Sequence, residues 1–159
     1  MRSWLLSCWI CLLVVATSTI AASEHPRLPS FSVTSSGGAA VASAALSSQS
    51  RWLLVYVSPS CRSCERLIES LKERQSPTLI SRTVIVVRSA EAARYIAEHQ
   101  SGFDVAWYAD LQDDAWRSLE LKSVPTLVGV EGGEIKWTVG GVLNDPKALE
   151  SVVRRWVEY

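Results

Sequence analysis

Two cysteines, Cys61-Arg-Ser-Cys64, stand where an apolar strand gives way to a helix, and this junction constrains the fold more than any other stretch of the chain. The run Trp52-Leu-Leu-Val-Tyr-Val57 reads as a buried strand. It stops at Ser58-Pro59, because proline cannot donate to a sheet ladder and disfavours helix in the residue before it. From Cys61 onward the apolar residues fall at Leu67, Ile68 and Leu71, the spacing of one buried helix face, so Cys61 sits at or just before the first turn. The first amides of a helix have no intrahelical partner, and with the helix dipole they favour negative charge. A thiolate is such a charge, so the acidity and reactivity of Cys61 should rise. Cys64 lies one turn further in, close enough to close a small ring with Cys61. The pair can therefore cycle between dithiol and disulfide: Cys61 attacks a partner's disulfide, a mixed disulfide forms, and Cys64 resolves it. Arg62, between them, adds a positive charge that favours the thiolate and tunes the pair toward the oxidising side.

The length of 159 residues and a hydrophobic content of 48% suit one domain with a proper core. Lysine plus arginine and aspartate plus glutamate are both 16, and no basic run or base-stacking pattern points to nucleic acid.

Residues 1–22 begin with the positive Arg2, continue as an apolar run from Trp4 to Ala16, and end in small residues at Ala21-Ala22. This is the pattern of a secretory signal cut near Ala21 or Ala22, with an uncleaved membrane anchor through residues 4–16 as the alternative. Either reading exports the domain to a periplasmic or other extracytoplasmic space. Cleavage removes only Arg2 among the charges, leaving 15 basic against 16 acidic side chains.

The four cysteines form two C-x-x-C pairs, Cys8/Cys11 and Cys61/Cys64, which invites a four-cysteine zinc site. Cys8 and Cys11 lie in the apolar run and cannot share a metal with a pair folded into a soluble domain. His25 and His99 lack the close spacing of zinc-finger histidines. No metal and no cofactor is expected.

Residues 23–30, with Pro26 and Pro29, read as a linker, and the domain is expected over 31–159. Phe31-Ser-Val33 and Ala39-Ala-Val41 flank Gly37-Gly38 as a short hairpin. Ala44, Ala45 and Leu46 can make a helical turn. After the C-x-x-C helix, which fades near Gln75-Ser76-Pro77, Thr83-Val-Ile-Val-Val87 reads as a central strand buried on both faces. Ser89 is a candidate cap for a helix over 90–99 that ends near Gly102. A short strand over 103–108 follows, then a helix started by Asp110 and Asp113 and ended by Lys122-Ser123. Val124-Pro125-Thr126 leads into a strand over 127–130, a Gly132-Gly133 turn and a strand over 135–139. Asn144-Asp145-Pro146 starts the last helix, whose apolar stripe is Leu149, Val152, Val153, Trp156 and Val157. Alternating strands and helices imply parallel pairing, and the Gly-Gly hairpin adds antiparallel strands, giving an α/β fold with a mixed central sheet between helices.

With the apolar leader, the Phe31 segment, Cys61-Arg-Ser-Cys64 at a strand-helix junction and Val124-Pro125-Thr126 before a Gly-Gly hairpin, the chain from about Phe31 to Tyr159 resembles the thioredoxin superfamily. Within it the chain looks like the exported TlpA/ResA-like thiol-disulfide oxidoreductases. The resemblance implies a thioredoxin-like fold and a cis peptide before Pro125, lying against the cysteine pair. It also implies that the backbone of Val124 pairs with an incoming peptide. Read from the residues alone, Pro125 would be trans and would simply stop the preceding helix. The implied partners are client protein thiols and disulfides and an electron-donor thiol protein.

The chain also departs from the family. Many relatives carry Trp before the first cysteine and Pro before the second, where this chain has Ser60 and Ser63. Ser58-Pro-Ser-Cys61 is closer to the pattern of MauD-like proteins, which assist maturation of methylamine dehydrogenase. Val55 and Leu67 occupy the positions where relatives place a buried Asp or a Glu, so no proton-handling carboxylate is assigned. Glu65 next to Cys64 reads equally as a favourable charge near a helix N-terminus. The Ser58-x-x-Cys61 spacing is also similar to that of peroxiredoxins, but their preceding proline is replaced by Leu54. Trp52, Trp107, Trp116, Trp137 and Trp156 read as core at strand and helix spacing, with a partner groove as the alternative. The leading expectation is a protein-disulfide oxidoreductase on the reductase side. The alternative is a thioredoxin-like maturation or binding factor, MauD-like, that holds a partner without turnover.

Overall fold

In the computed structural model, residues 25–141 and 146–158 are described. The leader over 1–22 with Cys8 and Cys11, the helix start at Asn144-Asp145 and the Leu149 side chain lie outside them. Among the described residues, seven strands form one mixed sheet in the order β2-β1-β5-β4-β3-β6-β7. These are β1 (Ser32–Ser35), β2 (Ala40–Ala42), β3 (Arg51–Val57), β4 (Thr83–Arg88), β5 (Ala106–Asp110), β6 (Thr126–Glu131) and β7 (Glu134–Gly140). The helices are α1 (Arg62–Glu73), α2 (Pro77–Arg82), α3 (Ala92–His99), α4 (Asp114–Ser118) and α5 (Pro146–Glu158). Strands β3, β4 and β5 run parallel, and β6 returns antiparallel to β3. The N-terminal hairpin docks antiparallel on the far side of β5.

The period of two along β3 separates two cores. Leu53, Val55 and Val57 pack with Cys64, Leu67, Ile68 and Leu71 of α1, Leu79 of α2, Tyr95 and Ile96 of α3, and Val153 and Val157 of α5. Trp52, Leu54 and Tyr56 face the other side, against Phe31, Leu46, Ala115 and Leu121. Each fully buried Leu or Val contributes about 1.5–3 kcal/mol over its exposed state, so β3 anchors both layers and holds the cysteine loop at its end. Trp52 and Trp107 are core residues, and Trp116, Trp137 and Trp156 pack against the core partly buried.

Several expected boundaries shift. α1 ends at Glu73, close to where it was expected to fade, but Ser76-Pro77 also starts a second helix: the Ser76 hydroxyl accepts from the Leu79 amide at 3.1 Å and Pro77 takes the first helical position. Ser89, at φ 132°, accepts from the Glu91 amide at 3.0 Å, and α3 begins only at Ala92. The left-handed Gly102 (φ 70°) turns the chain, so β5 starts at Ala106 instead of 103. α4 stops at Ser118, before a left-handed Glu120. On α5, Val153 and Val157 are buried, whereas Val152 of the expected stripe is 40% exposed. The stretch read as a linker is tied to the domain from Pro26 onward. The Ile135 amide donates to the Pro26 carbonyl and the Leu28 amide to the Gly133 carbonyl, both at 2.8 Å. The Gly132-Gly133 turn has φ 60° and 78°, which the tight hairpin requires and glycine supplies without strain.

Candidate active site

The site is assembled by strand register. Tyr56 pairs with Thr126, so the segment leaving β3 and the segment entering β6 meet at one end of the sheet although they are far apart in sequence. Ser58-Pro59-Ser60 turns the chain, with the Cys61 amide donating to the Ser58 carbonyl at 3.2 Å. Cys61 is the cap residue of α1. Its sulfur takes the place that a serine or aspartate oxygen takes in an ordinary helix cap, accepting from the Cys64 amide at 3.2 Å. Cys61 and Cys64 are joined as a disulfide. Cys61 is half-buried, while Cys64 is 0% exposed beneath the helix. An incoming group can reach Cys61 and cannot reach Cys64.

Opposite the pair, the Val124-Pro125 peptide is cis, as the resemblance implied and the residues alone did not. The Val124 carbonyl oxygen lies 3.7 Å from the Cys61 sulfur. Val124 is partly exposed and Pro125 is buried. The loop is tied from both sides, because the Thr126 hydroxyl donates to the Ser123 carbonyl at 2.6 Å and the Gly141 amide to the Pro125 carbonyl at 2.9 Å. Gly140 permits this approach. A methyl there would come within 2.9 Å of the Ser123 hydroxyl oxygen and 3.0 Å of that of Thr126.

Arg62 is exposed on the first turn, and the polar atoms at hydrogen-bond distance from the Cys61 sulfur belong to other residues: the Cys64 amide and the Ser63 hydroxyl, each at 3.2 Å. The Ser63 contact was missed in the sequence, where that position registered only as a departure from proline. His99 lies on α3 and stacks on Tyr95 at 4.0 Å.

A buried carboxylate was missed as well. Asp110, expected with Asp113 to start a helix, lies at the end of β5, and α4 begins at Asp114. Asp110 is 1% exposed, and its oxygens accept from the Tyr56 hydroxyl at 2.7 Å and the amides of Asp114 at 2.8 Å and Trp116 at 3.0 Å. Burial, with the Asp110 contact adding to it, pushes the Tyr56 phenol far above its ordinary value. Tyr56 belongs to the core on the sheet face opposite Cys64, so this pair supports the scaffold. Beside it Arg88 holds Asp113 through two bonds of 2.8 and 2.9 Å and lies over the Trp116 ring at 4.1 Å. The Arg88 guanidinium holds the Asp113 carboxyl below the usual range.

The fold is thioredoxin-like. No protein-family model matches the chain, and no curated protein sequence matches it. Solved structures do. A putative thiol:disulfide interchange protein DsbE from Chlorobium tepidum superimposes with a TM-score of 0.64 at 16% identity, over 84% of this chain and 97% of that one. The dsbF protein of Mycobacterium tuberculosis, in mixed oxidized and reduced forms, gives 0.61 at 16% identity, over 84% and 99%. An exposed lipoprotein thioredoxin from Streptococcus pneumoniae gives 0.60 at 12% identity, over 79% and 98%. Among the described residues, no helix is long and apolar enough to cross a membrane.

Proposed function

We propose that this chain is an exported thiol-disulfide oxidoreductase that exchanges disulfides with client proteins through Cys61 and Cys64, working in the reductive direction. The observation that carries the reading is the unequal exposure of the two sulfurs at a helix N-terminus. Cys61 is reachable beside Val124-Pro125, and Cys64 is shielded one turn below. Cys61 is the nucleophile and Cys64 the resolving residue. The Val124 backbone and Pro125 seat the client segment around its cysteine, and Arg62 adds a positive charge that favours the thiolate.

In the reductive half-reaction the Cys61 thiolate attacks one sulfur of a client disulfide. A Cys61–client bond forms, the client disulfide breaks, and the departing client thiolate takes up a proton. Cys64, giving up its proton, then attacks the Cys61 sulfur; the Cys61–Cys64 bond forms and the second client sulfur leaves as a thiolate, which takes up the second proton. The client gains two electrons and two protons, and the pair ends as the disulfide seen here. An electron-donor dithiol protein restores the reduced pair. The two sulfurs carry the electrons, and the scheme calls on no cofactor.

The resemblance to exported relatives and the apolar leader over residues 4–16 support an extracytoplasmic setting, with the leader cleaved or kept as a tether. The test is reduction of a model protein disulfide by the full-length protein with dithiothreitol as donor. Cys61→Ser abolishes activity on this reading, and full activity in that variant overturns it. A binding factor without turnover would show no catalysis in the unsubstituted protein either, and no mixed disulfide in Cys64→Ala.

A further inference from the structure

We propose that the Ser63 hydroxyl is a hydrogen-bond donor to the Cys61 thiolate and a catalytic residue of the exchange reaction. The inference rests on the redox reading above. Ser63 is the second residue of α1 and is half-buried, with its Oγ 3.2 Å from the Cys61 sulfur. That sulfur already accepts the Cys64 amide at 3.2 Å. From the other side it faces the Val124 carbonyl oxygen at 3.7 Å.

These neighbours act differently on the states of Cys61. A carbonyl oxygen has only lone pairs to offer, so it favours a protonated thiol and repels a thiolate. A hydroxyl rotates to suit its partner and turns its hydrogen toward a charge. Toward a neutral disulfide sulfur it is a weak contact; toward a thiolate it becomes a charge-assisted bond, roughly twice as strong as a neutral one. Ser63 therefore stabilises the thiolate more than the thiol or the disulfide and opposes the effect of Val124. The charged side chains in the first turn of α1 are Arg62 and Glu65, with Arg66, Glu69, Lys72 and Glu73 further along the helix and Lys122 before Val124; Arg62, Glu65, Arg66 and Lys122 are all exposed. Water screens these exposed charges, so the help that Arg62 gives the thiolate is small beside the short hydroxyl contact.

Two consequences follow for the exchange steps written above. More Cys61 is in the attacking form at a given pH. When the disulfide is reduced, the incoming thiolate attacks Cys61 and Cys64 leaves first; Cys61 is then released as a better-stabilised leaving thiolate when its mixed disulfide is broken, so the reduced state gains relative to the disulfide.

The experiment compares the full-length protein with Ser63→Ala, which loses the donor, and Ser63→Thr, which keeps it. Reduced protein is alkylated with iodoacetamide across pH, and labelling of the Cys61-containing peptide is followed by mass. The same proteins are equilibrated in glutathione buffers. Ser63→Ala moves the Cys61 midpoint to higher pH, with the thiolate fraction below it falling about three- to tenfold. The glutathione equilibrium moves by the same factor toward the disulfide, about 15–30 mV more negative. Ser63→Thr stays within about twofold of the unsubstituted protein on the same scale. An unchanged midpoint in Ser63→Ala, or Ser63→Thr behaving like Ser63→Ala, overturns the assignment while leaving the redox reading intact. Absence of any dithiol–disulfide transition in the unsubstituted protein overturns both.

Discussion

The sulfur of Cys61 lies 3.7 Å from the carbonyl oxygen of Val124, across a gap that only the register of β3 against β6 could close. The reachable sulfur thus sits beside an open stretch of backbone, while its partner Cys64 is wholly buried. A trapping experiment follows from that inequality. With Cys64→Ala, the client bond to Cys61 forms and cannot be resolved, so a mixed disulfide accumulates and disappears on adding reductant. With Cys61→Ser no adduct forms, because Cys64 is out of reach. Non-reducing electrophoresis after acid quenching distinguishes these outcomes; equal adduct in both variants would contradict the assigned roles.

Tyr56 and Asp110 make a different kind of prediction. Tyr56→Phe leaves a buried carboxylate with two backbone donors instead of three partners and lowers stability by about 1–3 kcal/mol. Urea unfolding should show an earlier midpoint with an unchanged slope. Because the pair is on the sheet face away from Cys64, the reduction potential stays where it was.

Tyr95 is the opposite case. Its hydroxyl is buried with no hydrogen-bond partner among the described residues, while its ring stacks on His99. Tyr95→Phe keeps the stack and removes the unpaired hydroxyl, so at neutral pH stability is unchanged or rises by up to about 1 kcal/mol. Burial chiefly, then the charges of Glu65 and Glu69, push the Tyr95 phenol up to about 12. A folded-state value above the unfolded one contributes stability that is fully present below about pH 10 and is lost as pH rises through the folded value. Between about pH 10 and 12 the protein therefore loses roughly 1.4 kcal/mol per pH unit through this residue, and Tyr95→Phe removes that share. Unfolding midpoints across alkaline pH measure it; identical slopes with and without the hydroxyl would refute it.

Gly129 tests the packing behind the site. An added methyl would overlap the indole of Trp137, which meets the Trp156 ring edge-on at 5.5 Å. Gly129→Ala forces both rings to shift and costs about 1–3 kcal/mol, read from chemical denaturation. Stability equal to the unsubstituted protein would mean that the tryptophan pair moves freely.

The strongest elements were legible because local pattern and final environment agree. The runs over 52–57 and 84–87 are hydrophobic throughout because β3 and β4 are covered on both faces, and Gly132-Gly133 is where both turn residues have positive φ. At Ser76-Pro77 the end of α1 was legible and the start of α2 was not, because proline serves equally to end one helix and to start the next; the serine cap marks the start, and only the folded chain shows that bond. Asp110 carried no signal of burial, since its partner Tyr56 comes from a distant strand. The pairing of Cys61 with Cys64 was readable from spacing. The proximity of Val124-Pro125 came from resemblance to a family, because local pattern says nothing about a contact made by strand register. Ser63 was invisible for a related reason: a serine in the first turn of a helix is unremarkable until the sulfur beside it is placed.

The central claim is that Cys61 and Cys64 form a redox pair and not a permanent bridge. It is tested most directly by equilibrating the full-length protein in glutathione and dithiothreitol buffers and counting free Cys61 and Cys64 thiols with a mass-tagging alkylator. The account predicts one two-electron transition within the range of about −270 to −120 mV spanned by thioredoxin-like oxidoreductases. A midpoint below about −220 mV agrees with the reductive direction, and one above about −180 mV reverses it to oxidation or isomerisation. A pair that stays fully oxidised in every buffer would be a structural disulfide, and the enzymatic reading would fall.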